Sequence, residues 1–451
     1  MGKFFIRRGR DIKIKGLALK KVVELPAPSK VGFQLADFRG VTPNLLVKEN
    51  DLVKAGSPLF EDKIHPEIKI VSSASGRVLS IVFDNNQMLQ RIVIATNGKK
   101  ESLQFRKFVP EELIQISRQS VVDQLLQGGL WPVIRQRPFS TVANPKKIPK
   151  SIFIHAMNTE PLAPDIDFIL SEKQFEFQLG LDVLKHLTEG QIHLCFSCNT
   201  KAKALTDAKR VKTHQFSGPH PSGNVSTHIY FIDPVNNGDI VWYVEAQDVL
   251  RIAELFLKGI SSSQRYVALT GEGLENRVYV KTLVGASVES LLRESPKENF
   301  RYISGSVLRG TDVGVNGYLG FYDSQISVIP EGGKREFLSW LSLGANKYSF
   351  SKTFACAFFP HKEFSIDTDA HGSPRPIVFR NIYNQYVALD IEPFFLMRAI
   401  LAEDIEQSKR LGILECDEED FALCSFACPS KTDVGAIVRR GLDLIGKEEA
   451  F

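Results

Sequence analysis

The residues best placed by type and spacing to do chemistry are six cysteines and nine histidines. Cys424, Cys428 and Pro429 reproduce the end of a bacterial iron–sulfur signature, in which Cys, three residues, Cys and Pro follow one another. The two preceding ligands belong at Phe421 and Glu418, and neither supplies a thiolate. Cys416 is out of register, so the motif is degenerate and no cluster or other metal is expected. Cys195 and Cys198 form a CxxC pair without a second pair nearby, and zinc needs four ligands. A buried strand cysteine followed by a turn cysteine is the expected arrangement. His214, His220 and His228 flank an irregular run, Phe216-Ser217-Gly218-Pro219-His220-Pro221-Ser222-Gly223-Asn224. That run reads equally as a binding loop or as a rigid structural one. Neither a Gly-x-Ser-x-Gly elbow nor a Walker-type phosphate loop occurs, which argues against a hydrolase or a nucleotide triphosphatase.

The elements that must position these groups fall into four stretches. Residues 1–105 read as short strands and turns, with two half-motifs around Asp62-Lys63 and Ser75-Gly76 that resemble a biotinyl/lipoyl-type barrel sandwich. Lys63 stands where a lipoyl lysine would lie, although an ordinary hairpin lysine is the expected role. Residues 106–260 alternate helix and strand, as α/β layers do. Helix is expected over 110–127, ended by Gly128-Gly129, and after Asp248 as cap, ended by Gly259. Buried strands are expected at 151–155, 191–196 and 228–232. Residues 261–330 carry a β-grasp pattern with a short helix at 288–292. Residues 331–451 read as helical, with helices over 392–407, 406–412 and 433–445.

Composition bounds the class. The chain has 451 residues, 43% hydrophobic and 24% charged, which suits a globular protein of several domains. No apolar run reaches the roughly 18–20 residues of a membrane span. The basic start lacks the apolar core of a secretory signal, and scattered cysteines point to a reducing compartment. Net charge is only +4. Aromatics are not interleaved with the basic residues of the first 24 positions, so nucleic acid is not an expected partner.

In order along the chain, several segments resemble one family. They are Gly9-Arg10-Asp11-Ile12-Lys13-Ile14-Lys15-Gly16, Leu59-Phe60-Glu61-Asp62-Lys63, Gly129-Leu130-Trp131 through Arg135-Gln136-Arg137-Pro138-Phe139-Ser140, Phe216 to Pro221, Ile303 to Leu308, and Asp417 to Pro429. Together they resemble the A subunits of sodium-translocating NADH:quinone oxidoreductases. More distant likeness extends to the C subunit of the Rnf complex and the NADH-oxidising flavoprotein subunit of complex I. The resemblance implies a Rossmann-like α/β domain over 106–260. It also implies a peripheral subunit on the cytoplasmic face of the bacterial inner membrane, in a complex that couples NADH oxidation and ubiquinone reduction to sodium export. Where the distant relatives have a Gly-rich flavin loop, this chain has the bulky Leu130-Trp131. Of their acidic flavin and nicotinamide segment, only Glu160-Pro161 remains in His155-Ala156-Met157-Asn158-Thr159-Glu160-Pro161. No FMN, iron–sulfur cluster or catalytic residue is therefore expected in the isolated chain, and ubiquinone is the expected ligand. Its trough would be lined by Trp131, Phe139 and Phe216, with His155, Arg135, Arg137 or His220 donating to the carbonyl oxygens.

Overall fold

The computed structural model describes residues 2–292, 295, 297–333, 341–351, 353–359, 361–377 and 381–449. Its centre is a seven-stranded sheet. Ser151–Ala156 is buried at every position, as a strand covered on both faces must be. It pairs in parallel with Gln191–Ser197 on one side and with Val241–Glu245 on the other. Lys212–Ser217 continues the parallel row beyond Gln191–Ser197. The chain thus runs outward in one direction through three strands, then returns to place the fourth on the opposite side of the first. Arg135–Arg137 and Thr141–Val142 complete that side in antiparallel fashion.

Helices cover both faces. Ile152, Ile154, Leu194, Phe196, Trp242 and Val244 share a core with Phe177, Leu181, Ile252 and Phe256 of the helices Gln174–Lys185 and Ala246–Lys258. The opposite face presents Phe153, Cys195, Phe216 and Tyr243 to the helix Val225–Ile232. Residues 228–232, expected as a strand, are therefore helical. Val225 to Ile229 are buried all round, and a short apolar run by itself does not separate the two states.

Other boundaries also shift for local reasons. Ser117 accepts a hydrogen bond from the Ser120 N–H, so the first long helix is Arg118–Gln127, preceded only by a single turn at Glu112–Ile114. Gly128 ends it, and Gly129 adopts φ +64°, where a side chain would strike Val71. Asp248 does not cap its helix, which begins at Ala246; it is a buried interior residue bonded to Arg251 and Arg265. The helix expected over 392–407 divides into Pro393–Leu401 and Ile405–Arg410, because Glu403 turns left-handed and Asp404 caps the second. The last helix is Val434–Glu449.

Two small sheets form the N-terminal sandwich: Lys30–Gln34, Leu89–Thr96, Gly76–Phe83 and Leu52–Val53, facing Pro43–Leu45, Pro58–Asp62 and Lys69–Val71. They share a core including Phe33, Phe60, Ile70 and Ile94. Lys63 is exposed in the turn after Asp62, whose carboxylate accepts from the Thr42 and His65 N–H groups. The first 24 residues leave this sandwich. Gly2–Phe5 joins the edge of the central sheet, alongside Lys212–Ser217. Ile12 and Ile14 enter the C-terminal core, and Leu19–Glu24 pairs with Val278–Leu283 in a separate six-stranded sheet. The chain's beginning thus links the central sheet, the helical C-terminal region and the sheet of residues 264–330. Among the described residues no helix is long and apolar enough to cross a membrane.

Candidate functional site

In an open parallel sheet, a crevice forms at the carboxyl ends of the strands where the strand order reverses. Here that place lies between Ser151–Ala156 and Val241–Glu245. The penultimate residue of the first strand is His155 and the last residue of the fourth is Glu245; they are register partners. His155 Nδ1 lies 2.8 Å from Glu245 Oε2, and Nε2 lies 2.6 Å from the Gly223 carbonyl. Both ring nitrogens thus meet acceptors, the arrangement of an imidazolium donating twice. Burial alone would lower the His155 pKa, but Glu245 and the Gly223 carbonyl outweigh it and raise it. Burial would likewise lift Glu245; His155 and Arg135 override it and hold the carboxyl at about 2. Arg135 bonds the other Glu245 oxygen at 3.2 Å and lies 4.4 Å from the ring centroids of Tyr243 and Tyr322.

A second charge cluster closes the crevice from the C-terminal region. Arg137 bonds Asp417 at 3.1 Å and Glu419 at 2.9 Å, all three being buried or nearly so. Asp417 also accepts from Arg439 and from the Ser140 hydroxyl. Arg39 pairs with Glu418. Burial pushes Asp417 up, yet Arg137, Arg39 and Arg439 bring it well below its ordinary value. Glu419 leads on to Arg309 at 3.6 Å, and Arg309 bonds Glu160 at 2.6 Å. Phe139 and Ser140 both have positive φ, a strained conformation for non-glycine residues. Arg439 on the Phe139 carbonyl and Asp417 on the Ser140 hydroxyl hold that turn in place.

His220 sits in the loop before the helix Val225–Ile232, where the Asp11 carboxylate accepts its N–H. The Thr159 hydroxyl accepts from the Gly223 N–H and lies 3.1 Å from His220 Nδ1. Burial lowers the His220 pKa despite the nearby Glu160. The other ring nitrogen, Nε2, is buried as well. That buried Nε2 has no hydrogen-bond partner among the described residues, and neither does Arg137 Nε.

The polar candidates His155, Arg135, Arg137 and His220 thus come to one place, around Glu245 and Glu419. The aromatic candidates are placed differently from one another. Trp131 is fully buried in the core beneath the other face of the sheet, its indole N–H donating to the Ala143 carbonyl at 2.7 Å and its ring set edge-on to Trp242. Phe216 stacks on Phe4 at 4.8 Å and lies 4.3 Å from His228. Phe139 packs against the C-terminal core. Sequence reasoning missed Glu245, Asp417, Glu419 and Arg309 as members of the site. By itself the acidic run Glu415 to Asp420 reads as a solvated face.

Cys424 and Cys428 are buried in the C-terminal core, where Cys428 Sγ lies 3.1 Å from the Tyr383 hydroxyl. Phe421 is buried beside them, while Glu418 turns away to Arg39. Cys195 is buried in its strand and Cys198 exposed in the following turn. Among the described residues no three His, Cys, Asp or Glu side chains are placed to hold a metal.

Fold and site together define a multidomain α/β protein whose point of strand reversal is spanned by its own arginines and carboxylates. Family models described as the NqrA N-terminal barrel-sandwich hybrid domain, the NqrA second alpha/beta domain and the NQRA C-terminal domain match residues 4–97, 116–261 and 266–314. The chain is 40% identical over 445 residues to the A subunit of the Na(+)-translocating NADH-quinone reductase of Yersinia pseudotuberculosis serotype O:1b, covering 98% of this chain and 99% of that protein. The corresponding A subunit of Serratia proteamaculans is 40% identical over 447 residues, with 98% and 99% covered. That of Neisseria meningitidis serogroup B is 38% identical over 445 residues, again with 98% and 99% covered. The chain belongs to this family, the A subunits of Na(+)-translocating NADH-quinone reductases.

Proposed function

We propose that this chain is the ubiquinone-interacting, peripheral subunit of a Na(+)-translocating NADH:quinone reductase. In this reading it sits on the cytoplasmic face of the inner membrane, and partner subunits carry the flavins and iron–sulfur centres. Full-length similarity to the A subunits of such reductases supports membership of the complex. The parallel sheet is read as a Rossmann-like domain and the sheet of residues 264–330 as a β-grasp domain, with boundaries near 105, 260 and 330.

One observation carries the quinone reading to particular residues: His220 Nε2 and Arg137 Nε are buried nitrogens without hydrogen-bond partners among the described residues, and the reading takes both as donors. An unmet buried donor costs about 1–3 kcal/mol, and quinone carbonyl oxygens are acceptors that relieve it. The electrostatics fit a neutral ligand better than an anion, because Glu419 lies within reach of the same groups. His155 and Arg135 act one step further out, fixing Glu245 and thereby the crevice wall. Trp131 and Phe216, being packed elsewhere, enter as support for the sheet rather than as ring contacts.

Titration of the purified full-length chain with a short-chain ubiquinone, followed by ligand-observed NMR, tests this reading. Saturable binding that weakens in His220→Phe is expected. Absence of saturable binding to both the chain and the assembled complex would overturn it, leaving a structural role in assembly. Dissociation of the complex on deleting the chain would favour that second reading, for which the charge-filled crevice is the supporting observation.

A further inference from the structure

A concavity lies where the N-terminal sandwich, the end of the helix Ala246–Lys258 and the strand Val278–Leu283 meet. It encloses about 460 Å³, within the roughly 300–1,000 Å³ of small-molecule sites. Three loops with little regular structure build it: 25–28, 97–102 and 260–263.

Its chemistry is divided. One part of the lining is aliphatic, from Leu25, Pro26, Pro28, Ala74, Ile260 and Leu283. Another part is hydroxylic, from Ser73, Ser75 and the run Ser261-Ser262-Ser263. Most of these hydroxyls serve the fold: Ser73 donates to the Val284 carbonyl at 2.7 Å and Ser75 to the Lys99 carbonyl at 2.5 Å. Ser261 does not. Its Oγ is buried, the residue being 6% exposed, and has no partner among the described residues. A buried hydroxyl left in this state is costly unless something meets it.

The charges around the cavity do not cancel. Lys258 is engaged by Glu254 at 2.7 Å and Lys99 by Glu101 at 3.9 Å. Lys100 has no carboxylate within ion-pair distance among the described residues, whereas Lys281 is the register partner of Glu24, lies 5.9 Å from the Tyr266 ring centroid and is close enough to Glu254 to lower its pKa. No aromatic side chain lines the space, so a flavin, nicotinamide or quinone ring would find nothing to stack against.

We propose that this cavity is a binding site for a small aliphatic molecule with an anionic head, a carboxylate or a phosphate ester. The head would meet Lys100, Lys281 and the Ser261 hydroxyl, and the alkyl body would lie along Leu25, Pro28 and Ile260. The site is separate from the quinone crevice and does not depend on that reading.

Calorimetry on the purified full-length chain tests the proposal with octanoate, octyl phosphate and, as the uncharged control, octanol. Saturable one-to-one binding of at least one anion is expected, and which one binds assigns the head group. Octanol should not bind. Lys100→Glu with Lys281→Glu should weaken the anion by about tenfold or more. Ala27→Trp, at an exposed position on the rim, should abolish binding while leaving the thermal melt in place. A short-chain ubiquinone should not displace the anion. The proposal is overturned if neither anion saturates, if octanol binds equally, or if both variants bind as the parent does.

Discussion

Arg137 and Glu419, 282 residues apart in sequence, meet at 2.9 Å with the guanidinium almost wholly enclosed. The same guanidinium bonds Asp417 at 3.1 Å, so one side chain of the central sheet ties down the C-terminal region at two points. An enclosed pair of this kind contributes little net stability when formed but is expensive to break from one side. That asymmetry defines what the site tolerates.

Arg137→Met strands Asp417 and Glu419 in a poorly solvated place. A loss of about 3–5 kcal/mol is expected, read as a fall in the denaturation midpoint. Asp417→Asn should cost less, because Glu419 still compensates Arg137. Equal losses from the two substitutions would show that Asp417, not the pair with Glu419, governs the contact.

Glu245 gives the protein an acid limit. Its carboxyl is held at about 2 against an ordinary 4.5, so its contribution is present above pH 4.5 and is lost as pH falls toward 2. At 1.36 kcal/mol per unit, the contribution is about 3 kcal/mol. His155 shifts the other way: its raised pKa contributes stability below pH 6.5 that is lost as pH rises through the folded value. Glu245→Gln should flatten the acid limb of the stability profile. It should also lower the His155 pKa, visible in its imidazole NMR shifts; an unchanged titration would exclude Glu245 as the cause.

Trp131→Phe removes the donor to the Ala143 carbonyl and some core volume. A cost of about 1–3 kcal/mol is expected, with no change in quinone-analogue affinity. A selective loss of affinity at unchanged thermal stability would place Trp131 in the ligand site after all.

Gly16→Ala tests how the N-terminal segment is seated. Gly16 has φ +112°, and a methyl group there would stand 2.4 Å from the Gly271 carbonyl carbon. Its own carbonyl accepts the Gly271 N–H at 2.8 Å. Strain and clash together should cost about 2–4 kcal/mol, seen as a lower melting temperature. Gly98→Ala, where nothing lies within 4 Å, carries the backbone strain without the clash and should cost less.

Much of this was legible from local sequence, because local physics dictates it. An unbroken apolar run can only be a strand or helix covered on both sides, and Ser151–Ala156 is such a strand. Gly129, just after the first long helix, and Gly259 turn the chain left-handed where helices end, because only a backbone without a side chain does so cheaply. The missing thiolates at Glu418 and Phe421 were equally plain. What only the tertiary structure decided is where distant segments meet. Helical spacing did not reveal that His228 belongs to a helix, since a run of five apolar or aromatic residues satisfies either period. Nor does any periodicity encode that Arg137 would find Asp417 and Glu419, that His155 and Glu245 would be register partners, or that Trp131 would lie beneath the other face. Those outcomes follow from the order in which parallel strands are laid down and from how the C-terminal region docks on them. Both are long-range choices made by the burial of whole faces, and no single stretch of residues contains them.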